Sequence, residues 1–396
     1  MVSYMVPFLG FSDTQVGVLT GYGYALALLT AGPCAAHLNG KLDPHLITCV
    51  SLALFGVCTV ALGLFKSFVP WIILRSLCGC IEGFFFPATY LILGSSRKLI
   101  SSATSLALYS SSIYLGAALA SLSSIIKPYF GIFPVFVTWG VLLICSCFFS
   151  ASLFCTCFRK TKGAVDATET VPLLETTSAE FPLEGDLYIF TSMLIGMSFR
   201  VIGGFTLASF IPTFFLRNFP LDYSSFGLTH AMLVGVVGTL SVFSGGFLND
   251  YLSKRYKGVS ALIPLAGAFL SLPFLILCFS SHSFFMAISM YGLAILCAEV
   301  WYGPACSTLM LSISKKTKAL QTTIFTVAIS VIGNCGPLIV GLLDDCSWSL
   351  GESMILVISS SYIAAAVSFC VCFLAILRLK QIIGDSDPLF DQEEAA

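Results

Sequence analysis

WIILRSLCGCIEGFFFPA, residues 71–88, is an almost entirely apolar stretch that carries Arg75 and Glu82 in its middle. It belongs to an apolar segment, 69–93, that is long enough to cross the hydrocarbon core of a bilayer as a helix. An ionisable side chain inside such a segment costs about 2.5–3.5 kcal/mol and usually faces the interior of a helix bundle or an aqueous cavity. The stretch therefore predicts a membrane-spanning helix with one polar face.

The same apolar pattern continues along most of the chain. Of 396 residues, 57% are hydrophobic and 10% are charged, whereas about a quarter of the residues of a soluble domain are charged. Too few charges remain to cover a water-exposed surface, so the sequence predicts an all-α polytopic membrane protein. The eleven predicted spans are 14–37, 45–65, 69–93, 102–126, 132–157, 187–216, 225–249, 259–280, 283–312, 320–343 and 353–377.

The basic residues predict how these spans are oriented. If residues 1–12 face outside and the spans alternate, fourteen of the 19 Lys and Arg residues lie in cytosolic connections and the tail, and three lie in outside connections. Cytosolic loops of membrane proteins are enriched in Lys and Arg. We therefore predict that the polar segment 158–186 and the C-terminus are cytosolic.

The polar segment also divides the chain in two. We predict an N-terminal helical bundle over 1–157, a cytosolic linker over 158–186, a C-terminal six-helix bundle over 187–380 and an acidic cytosolic tail over 381–396. Residues 1–10 are too short to cross a bilayer and look like the last turns of a first span that is otherwise absent. The first bundle is therefore expected to hold a truncated helix and five complete spans.

Four ionisable residues lie deep inside predicted spans, namely Arg75, Glu82, Arg200 and Glu299. Residues of this kind often mark the path of a substrate, an ion or a proton. The sequence contains no Walker A loop, no HExxH zinc motif, and no Ser/His/Asp set or metal-ligand cluster at one depth of the membrane. We predict a membrane protein that is not an enzyme, uses no cofactor or metal and does not bind nucleic acid.

The loop after the span 225–249 carries a recognisable motif. Its sequence, GGFLNDYLSKRYKG, is similar to the G-x-L-x-D-x-x-x-[RK]-x-[RK] signature of the major facilitator superfamily, with Gly246, Asp250, Lys254 and Arg255 in place. This resemblance implies two six-helix bundles around a central cavity, alternating access, and a gating role for the motif. The copy expected after the span 14–37 is degraded, because Ala36 stands where the acid belongs.

Within the superfamily, the pattern resembles the Spinster group most. Arg75, Gly79 and Glu82 match an R-x-x-x-G-x-x-E pattern, and Arg200 and Glu299 match the charges of that group's seventh and tenth helices. The stretch GNCGPLIVGLLDD (333–345) is similar to the group's eleventh helix, with Asn334 where an Asp is common. The resemblance implies a proton-linked transporter of lysophospholipids or sphingoid phosphates. Organic-anion symporters of the same superfamily share Arg75, Glu82 and Pro87.

The arginines are the predicted anion-binding groups. On a helix, Arg75 and Glu82 lie on the same face about 10 Å apart, so an anionic headgroup fits between them. A guanidinium stays protonated and binds phosphate or carboxylate bidentately. We therefore assign Arg75 and Arg200 to substrate binding, with Trp301 and Tyr302 lining the wall of the site.

The two acids, Glu82 and Glu299, are the predicted proton carriers, because a carboxyl group can accept and release a proton during a transport cycle. Structural interpretations stay open beside these assignments. Arg75 could snorkel to the membrane surface, and each acid could be the fixed ion-pair partner of an arginine on a neighbouring helix. His230 is interpreted as a hydrogen-bonded polar residue rather than a proton relay.

Two further questions stay open, the cargo and the membrane. The cargo could be a smaller organic anion, and the protein could instead be a non-transporting sensor built on this scaffold. The expected partners are an anionic substrate, protons and membrane lipids, and the expected state is a monomer. ETVPLL, residues 169–174, has the form of an acidic dileucine sorting signal, so we predict an endolysosomal membrane or the plasma membrane.

Overall fold

The structure is a computed structural model that describes residues 10–93, 102–165, 186–221, 223–314 and 317–384. Every regular element in these ranges is a helix. The N-terminal residues 1–9, most of the predicted linker with its dileucine pattern, and the acidic tail after residue 384 lie outside the described residues. We refer to residues 10–165 as the first half and to 186–384 as the second half.

The helices of the first half are α1 (Asp13–Thr20), α2 (Tyr22–Asn39), α3 (Pro44–Leu64), α4 (Phe68–Leu93), α5 (Ala103–Phe130) and α6 (Ile132–Val165). Those of the second half are α7 (Leu187–Asn218), α8 (Tyr223–Met232), α9 (Thr239–Leu252), α10 (Val259–Phe279), α11 (Phe284–Ala298), α12 (Tyr302–Ser312), α13 (Lys318–Gly333), α14 (Cys335–Asp345) and α15 (Leu350–Gly384). A π-helical turn, Leu233–Gly238, joins α8 to α9, and a 3₁₀ turn, Glu299–Trp301, joins α11 to α12.

Within the described ranges, eleven helical segments are long and apolar enough to cross a membrane. The number of spans and the all-α membrane architecture are therefore confirmed. Short turns make consecutive spans antiparallel. Lys41, Lys254, Arg255 and Arg378 consequently share one end of the bundle, which we call the basic end, and the other end is the opposite end.

Three of the spans contain an interruption that proline or glycine explains. Pro304 lacks the N–H that would bond to the carbonyl of Val300, and the chain tightens into a 3₁₀ turn beside it. Pro337 likewise removes the bond to the carbonyl of residue 333, and α13 ends there. The break between α1 and α2 falls at Gly21, whose φ of −99° and ψ of −107° lie outside the helical region.

The two halves meet along two lines of contact. In the first, α5 of the first half packs against α9, α12 and the π-helical turn of the second half. In the second, α1 and α2 pack against α14 and α13. Small residues allow the close approach of these helices, since a Cβ added at Gly246 would lie 2.8 Å from the carbonyl oxygen of Ala103.

Candidate functional site

Arg200 lies in the middle of α7, and 1% of its side chain is exposed. Its Nη2 donates to the carbonyl of Ala298 at 2.8 Å and lies 3.3 Å from Oε1 of Glu299. The guanidinium carbon lies 4.1 Å from the ring centroid of Tyr362 and 5.4 Å from that of Trp301. The arginine is thus held by an ion pair, a carbonyl and two aromatic faces, which are favourable partners for a buried guanidinium.

Glu299 opens the 3₁₀ turn, where the local tightening directs its carboxylate toward both halves. Its Oε2 accepts a hydrogen bond from the hydroxyl of Tyr114 at 2.5 Å and another from Nε1 of Trp301 at 3.2 Å. Together with Arg200, three donors therefore converge on this carboxylate.

Tyr302, which follows the 3₁₀ turn, has a different neighbourhood. Its hydroxyl is hydrogen-bonded to the hydroxyl of Tyr90 on α4, so this contact also joins the two halves. The ring of Tyr90 packs edge-on against Tyr109 of α5 and Phe325 of α13. An aromatic cluster with a polar centre therefore lies between α4, α5, α12 and α13.

Arg75 and Glu82 lie on one uninterrupted helix, α4, as predicted. Nε of Arg75 donates to the carbonyl of Leu19 at 3.3 Å, and its guanidinium carbon lies 5.0 Å from the ring centroid of Tyr24. Arg75 thus contacts the chain on both sides of the break between α1 and α2. Within the described ranges, neither Arg75 nor Glu82 forms an ion pair with any residue, and the Glu82 carboxylate accepts no hydrogen bond.

The contact between α4 and α2 fixes the position of Arg75. Gly79 packs directly against the backbone of Tyr24, where any added Cβ would collide with the carbonyl oxygen. One turn earlier, the hydroxyl of Ser76 donates to the carbonyl of Gly23 at 2.6 Å. The glycine of the R-x-x-x-G-x-x-E pattern is therefore a position of close helix approach.

The predicted gating motif lies at the basic end of the contact between the halves. Asp250 of α9 accepts hydrogen bonds from the hydroxyl of Ser102 and from the backbone N–H groups of Ala103 and Thr104, at 2.9, 2.9 and 3.0 Å. These donors form the N-terminus of α5, so an acid of the second half caps a helix of the first half. Lys254 and Arg255 are exposed in the turn that follows.

His230 has the hydrogen-bonded environment expected from the sequence. Its Nδ1 lies 2.9 Å from the hydroxyl of Ser121 on α5, and its Nε2 lies 3.5 Å from the hydroxyl of Tyr291 on α11. The imidazole stacks between Phe226 and Tyr291. It contributes a further polar contact between the halves, nearer the opposite end.

Three tyrosines of the site escaped the sequence analysis: Tyr90, Tyr114 and Tyr362. Tyrosine is common in apolar helices, so none of them stands out in a composition-based search. The available signal is the hydroxyl, which usually finds a hydrogen-bond partner when it is buried, although the hydroxyl of Tyr362 has none within the described residues. That signal cannot name the partner, because Tyr114 lies 185 residues from Glu299 in the chain.

At the opposite end, two contacts involve consecutive acids of α14. Asp345 is hydrogen-bonded to Thr14 of α1 and so joins the halves. Asp344 forms an ion pair with Arg217 of α7 at 2.7 Å. Polar contacts therefore join the halves at both ends of the bundle and in its middle.

Comparisons with known proteins identify the family of the chain. The profile of the Major Facilitator Superfamily matches residues 1–337. A curated relative, an MFS-type efflux pump of Mycolicibacterium smegmatis, is 21% identical over 368 residues, which cover 91% of this chain and 84% of the pump.

Solved structures of transporters have a similar fold. Two structures of a bacterial homolog of the human lysosomal transporter Spinster are similar with TM-scores of 0.65 (inward-facing, unoccupied) and 0.60 (inward-facing, occupied). Both are 19% identical, and the comparisons cover 96% of this chain and 93% and 91% of those chains. The human organic anion transporter MFSD10 (TETRAN) is similar with a TM-score of 0.56 at 12% identity, covering 94% of this chain and 88% of that one. At these identities the likeness is evidence of fold.

Proposed function

The chain belongs to the major facilitator superfamily of membrane transporters, and we propose that it moves an amphipathic lipid anion, a lysophospholipid or a sphingoid phosphate, by proton-linked alternating access. The observation that carries this proposal is that the two intramembrane arginines differ in their partners. Arg200 is paired with a carboxylate, whereas Arg75 has a carbonyl and an aromatic ring but no carboxylate partner within the described ranges. A positive charge without a carboxylate partner inside the bundle favours the binding of an anion.

Arg75 is the proposed anchor for the anionic headgroup. Its position is fixed by the close packing of α4 on α2, which leaves the rest of its fork of N–H donors for a ligand. Glu82 lies about two turns further along the same helix. In the proposed cycle, the protonation of Glu82 removes the charge that would otherwise repel an anion beside it.

Arg200 and Glu299 form the proposed second coupling site. The guanidinium cannot bind a cargo anion at full strength while Glu299 holds it, since both anions need the same N–H donors. Protonation of Glu299 removes its negative charge and makes Arg200 available. Nε of Arg200, which is buried without a hydrogen-bond partner, is the donor that an incoming anion would satisfy first.

The aromatic groups around these charges favour an amphipathic cargo. Trp301 and Tyr362 flank Arg200, and the cluster around Tyr302 lies next along the chain. Aromatic side chains give a large apolar contact area and a polar edge. Such a wall fits a molecule with a charged head and an acyl or sphingoid chain better than a small hydrophilic anion.

The experiment is transport into vesicles that contain the purified full-length protein. The probes are a fluorescent lysophosphatidate, as the lipid anion, and benzoate, as a small organic anion, each with and without an inward proton gradient. We expect proton-stimulated uptake of the lysophosphatidate, and its loss in Arg75→Ala and Glu299→Gln. Arg378→Ala, which removes an exposed arginine at the basic end, is the matched control and should transport normally.

Each alternative has its own outcome. Uptake of benzoate without uptake of the lysophosphatidate would assign the protein to the small-anion class. Specific binding of the lysophosphatidate without any flux would make the protein a sensor on a transporter scaffold. Flux that is unaffected by Arg75→Ala and by the proton gradient would overturn both the anchor and the coupling.

A further inference from the structure

We propose that Tyr114 is the positioning residue that ties the protonation of Glu299 to the closure of the contact between α5 and the second half. This contact, which we call the α5 seam, comprises α5 on one side and α8, the π-helical turn, α9 and α12 on the other. The proposal deepens the proposed function and rests on it, since it takes Glu299 as a proton carrier. Tyr114 binds neither cargo nor proton in this scheme, and it acts through Glu299.

Tyr114 is fitted closely to the second half. A Cβ added at Gly238 would lie 2.6 Å from Cδ1 of the Tyr114 ring, so the ring occupies the space that this glycine leaves open. Gly238 ends the π-helical turn, a feature that frequently marks a functional site in a helix. In this position the Tyr114 hydroxyl donates a hydrogen bond to Oε2 of Glu299. One bond thus connects a helix of the first half to the ion pair of the second.

The charged and titratable groups that contact Glu299 and its partner Arg200 lie on α5, α7 and α15. Arg200 of α7 and Tyr114 of α5 contact the carboxylate directly, and Tyr362 of α15 lies on the face of Arg200. Trp301 donates from the same turn but does not titrate. Tyr114 is therefore the member of this group that lies on the other half.

Protonation of Glu299 changes this bond without a covalent change elsewhere. The incoming proton binds a lone pair of the carboxylate, the negative charge disappears, and Tyr114 keeps its own hydroxyl proton. The bond from Tyr114 then loses its charge assistance, and charge-assisted bonds are about twice as strong as neutral ones. Arg200 loses its counterion in the same event.

The rest of the α5 seam responds less to this proton. Asp250 caps α5 at the basic end, and Ala118 packs against Gly235 through small apolar groups. Asp250 and, on α8, His230 are further titratable residues in the seam, and His230 is bonded to Ser121. The hydrogen bond from Tyr114 to Glu299 thus lies between the Asp250 cap and the small apolar contacts, and it has a charged acceptor. When this hydrogen bond weakens, α5 can separate from the second half.

The test is a distance measurement across the seam in lipid nanodiscs, with full-length protein and without cargo. Spin labels are attached to a ketone-bearing amino acid at Leu119 of α5 and at Phe285 of α11, whose side chains are exposed. Thiol labels are unsuitable because the chain has 16 native cysteines. We expect a longer-distance population to grow in the wild type as the pH falls from about 7.5 to about 4, the range in which carboxyl groups take up protons. In Tyr114→Phe the ratio of long to short distances should rise at least about tenfold at the higher pH and lose its pH dependence.

Three variants distinguish this proposal from control of the seam by another residue. Glu299→Gln should resemble Tyr114→Phe at both pH values. Ser112→Ala also removes a hydroxyl from α5, one that bonds to the carbonyl of Tyr109 within the same helix, and should behave as the wild type. If His230→Gln abolishes the pH response while Tyr114→Phe keeps it, the seam is controlled by the histidine and the proposal fails.

Failure of the proposed function gives a different pattern. If Glu299→Gln retains full proton-driven uptake of lysophosphatidate, Glu299 is no proton carrier and the premise is lost. If Glu299→Gln loses proton-driven uptake but Tyr114→Phe keeps wild-type distances at both pH values, the coupling stands and the role of Tyr114 is overturned.

Discussion

Arg200 illustrates how much of a site one residue can determine. A charge in the middle of a span is costly unless it is paired, and the structure pairs Arg200 with a carboxylate, a carbonyl and two aromatic rings. The sequence predicts that such partners exist, because the charge must be balanced. It does not identify them, since Glu299 lies 99 residues away in the chain. The pairing depends on how α7 packs against the break before α12, which is a tertiary property.

The two substitutions of Arg200 separate binding from stability. In the folded fraction, Arg200→Ala should weaken the free energy of lysophosphatidate binding by about 2–5 kcal/mol, the usual cost of truncating one side of a desolvated charge pair. Arg200→Lys should also weaken binding, because an ammonium lacks the bidentate geometry. Binding is measured by titration against the folded fraction. The double variant Arg200→Ala, Glu299→Ala should regain thermal stability without regaining affinity, because it leaves no unpaired buried charge. Unchanged affinity in both single variants would remove Arg200 from the binding site.

Glu82 is the simpler test of proton coupling, because the structure gives it no fixed hydrogen-bond partner within the described residues. Glu82→Gln keeps the shape of the side chain but removes its ability to ionise. We expect proton-driven uptake to fall more than lysophosphatidate binding does. The measurement is the ratio of uptake at about pH 5.5 to uptake at about pH 7.5. If the variant and the wild type show the same ratio, Glu82 carries no proton.

At the scale of helices, the spans could be predicted and their contacts could not. Hydropathy is a local property, so each of the eleven segments is visible in the sequence. The breaks are partly visible, since Pro304 and Pro337 each remove a helical hydrogen bond. The break at Gly21 has no such signal. The glycine that brings α4 onto α2, Gly79, was predicted as part of a motif, but its function as a close-approach position required the packing.

The N-terminal cap that Asp250 forms on α5 contributes a stability that can be measured. Asp250→Ala should remove this cap at a cost of about 0.5–2 kcal/mol and so loosen the basic end of the contact between the halves. Hydrogen exchange of the first turn of α5 should accelerate, and the exchange of α9 beside it should follow. Asp43→Ala removes a cap that lies within the first half, on α3, and should accelerate exchange in α3 alone. Unaltered exchange in α5 would show that the cap does not hold the halves together.

The same device is absent from the other line of contact, because Ala36 stands at the corresponding position of the first half. Gly32 packs against Val327 of α13, so the next turn of α2 lies beside the start of α13. That start, at Thr317, has no side-chain cap. Within the described residues, the two lines of contact between the halves are therefore unequal at the basic end, because the start of α13 has no side-chain cap to match the one that Asp250 gives α5.

At the scale of the whole molecule, fold and orientation have different origins. The fold follows from eleven spans and the way small residues bring α5 and α2 against the second half. The predicted orientation in the membrane rests instead on charge, because fourteen of the 19 Lys and Arg residues fall in the predicted cytosolic connections and tail. No contact inside the bundle depends on which side is cytosolic, so the orientation needs its own experiment.

Cys346 provides that experiment without an introduced cysteine. It ends α14 in the short turn before α15, at the end opposite the basic residues, and its side chain is exposed. Among the cysteines whose side chains the structure describes, the other exposed ones are Cys34, Cys145 and Cys370, which lie within spans, where a charged maleimide does not reach them. If the basic end is cytosolic, a membrane-impermeant maleimide should label the surface fraction of the wild type on intact cells, and Cys346→Ser should abolish the label. Labelling of Cys346 only after permeabilisation of the surface fraction would reverse the orientation, and it would move the gating motif and the predicted linker to the outside.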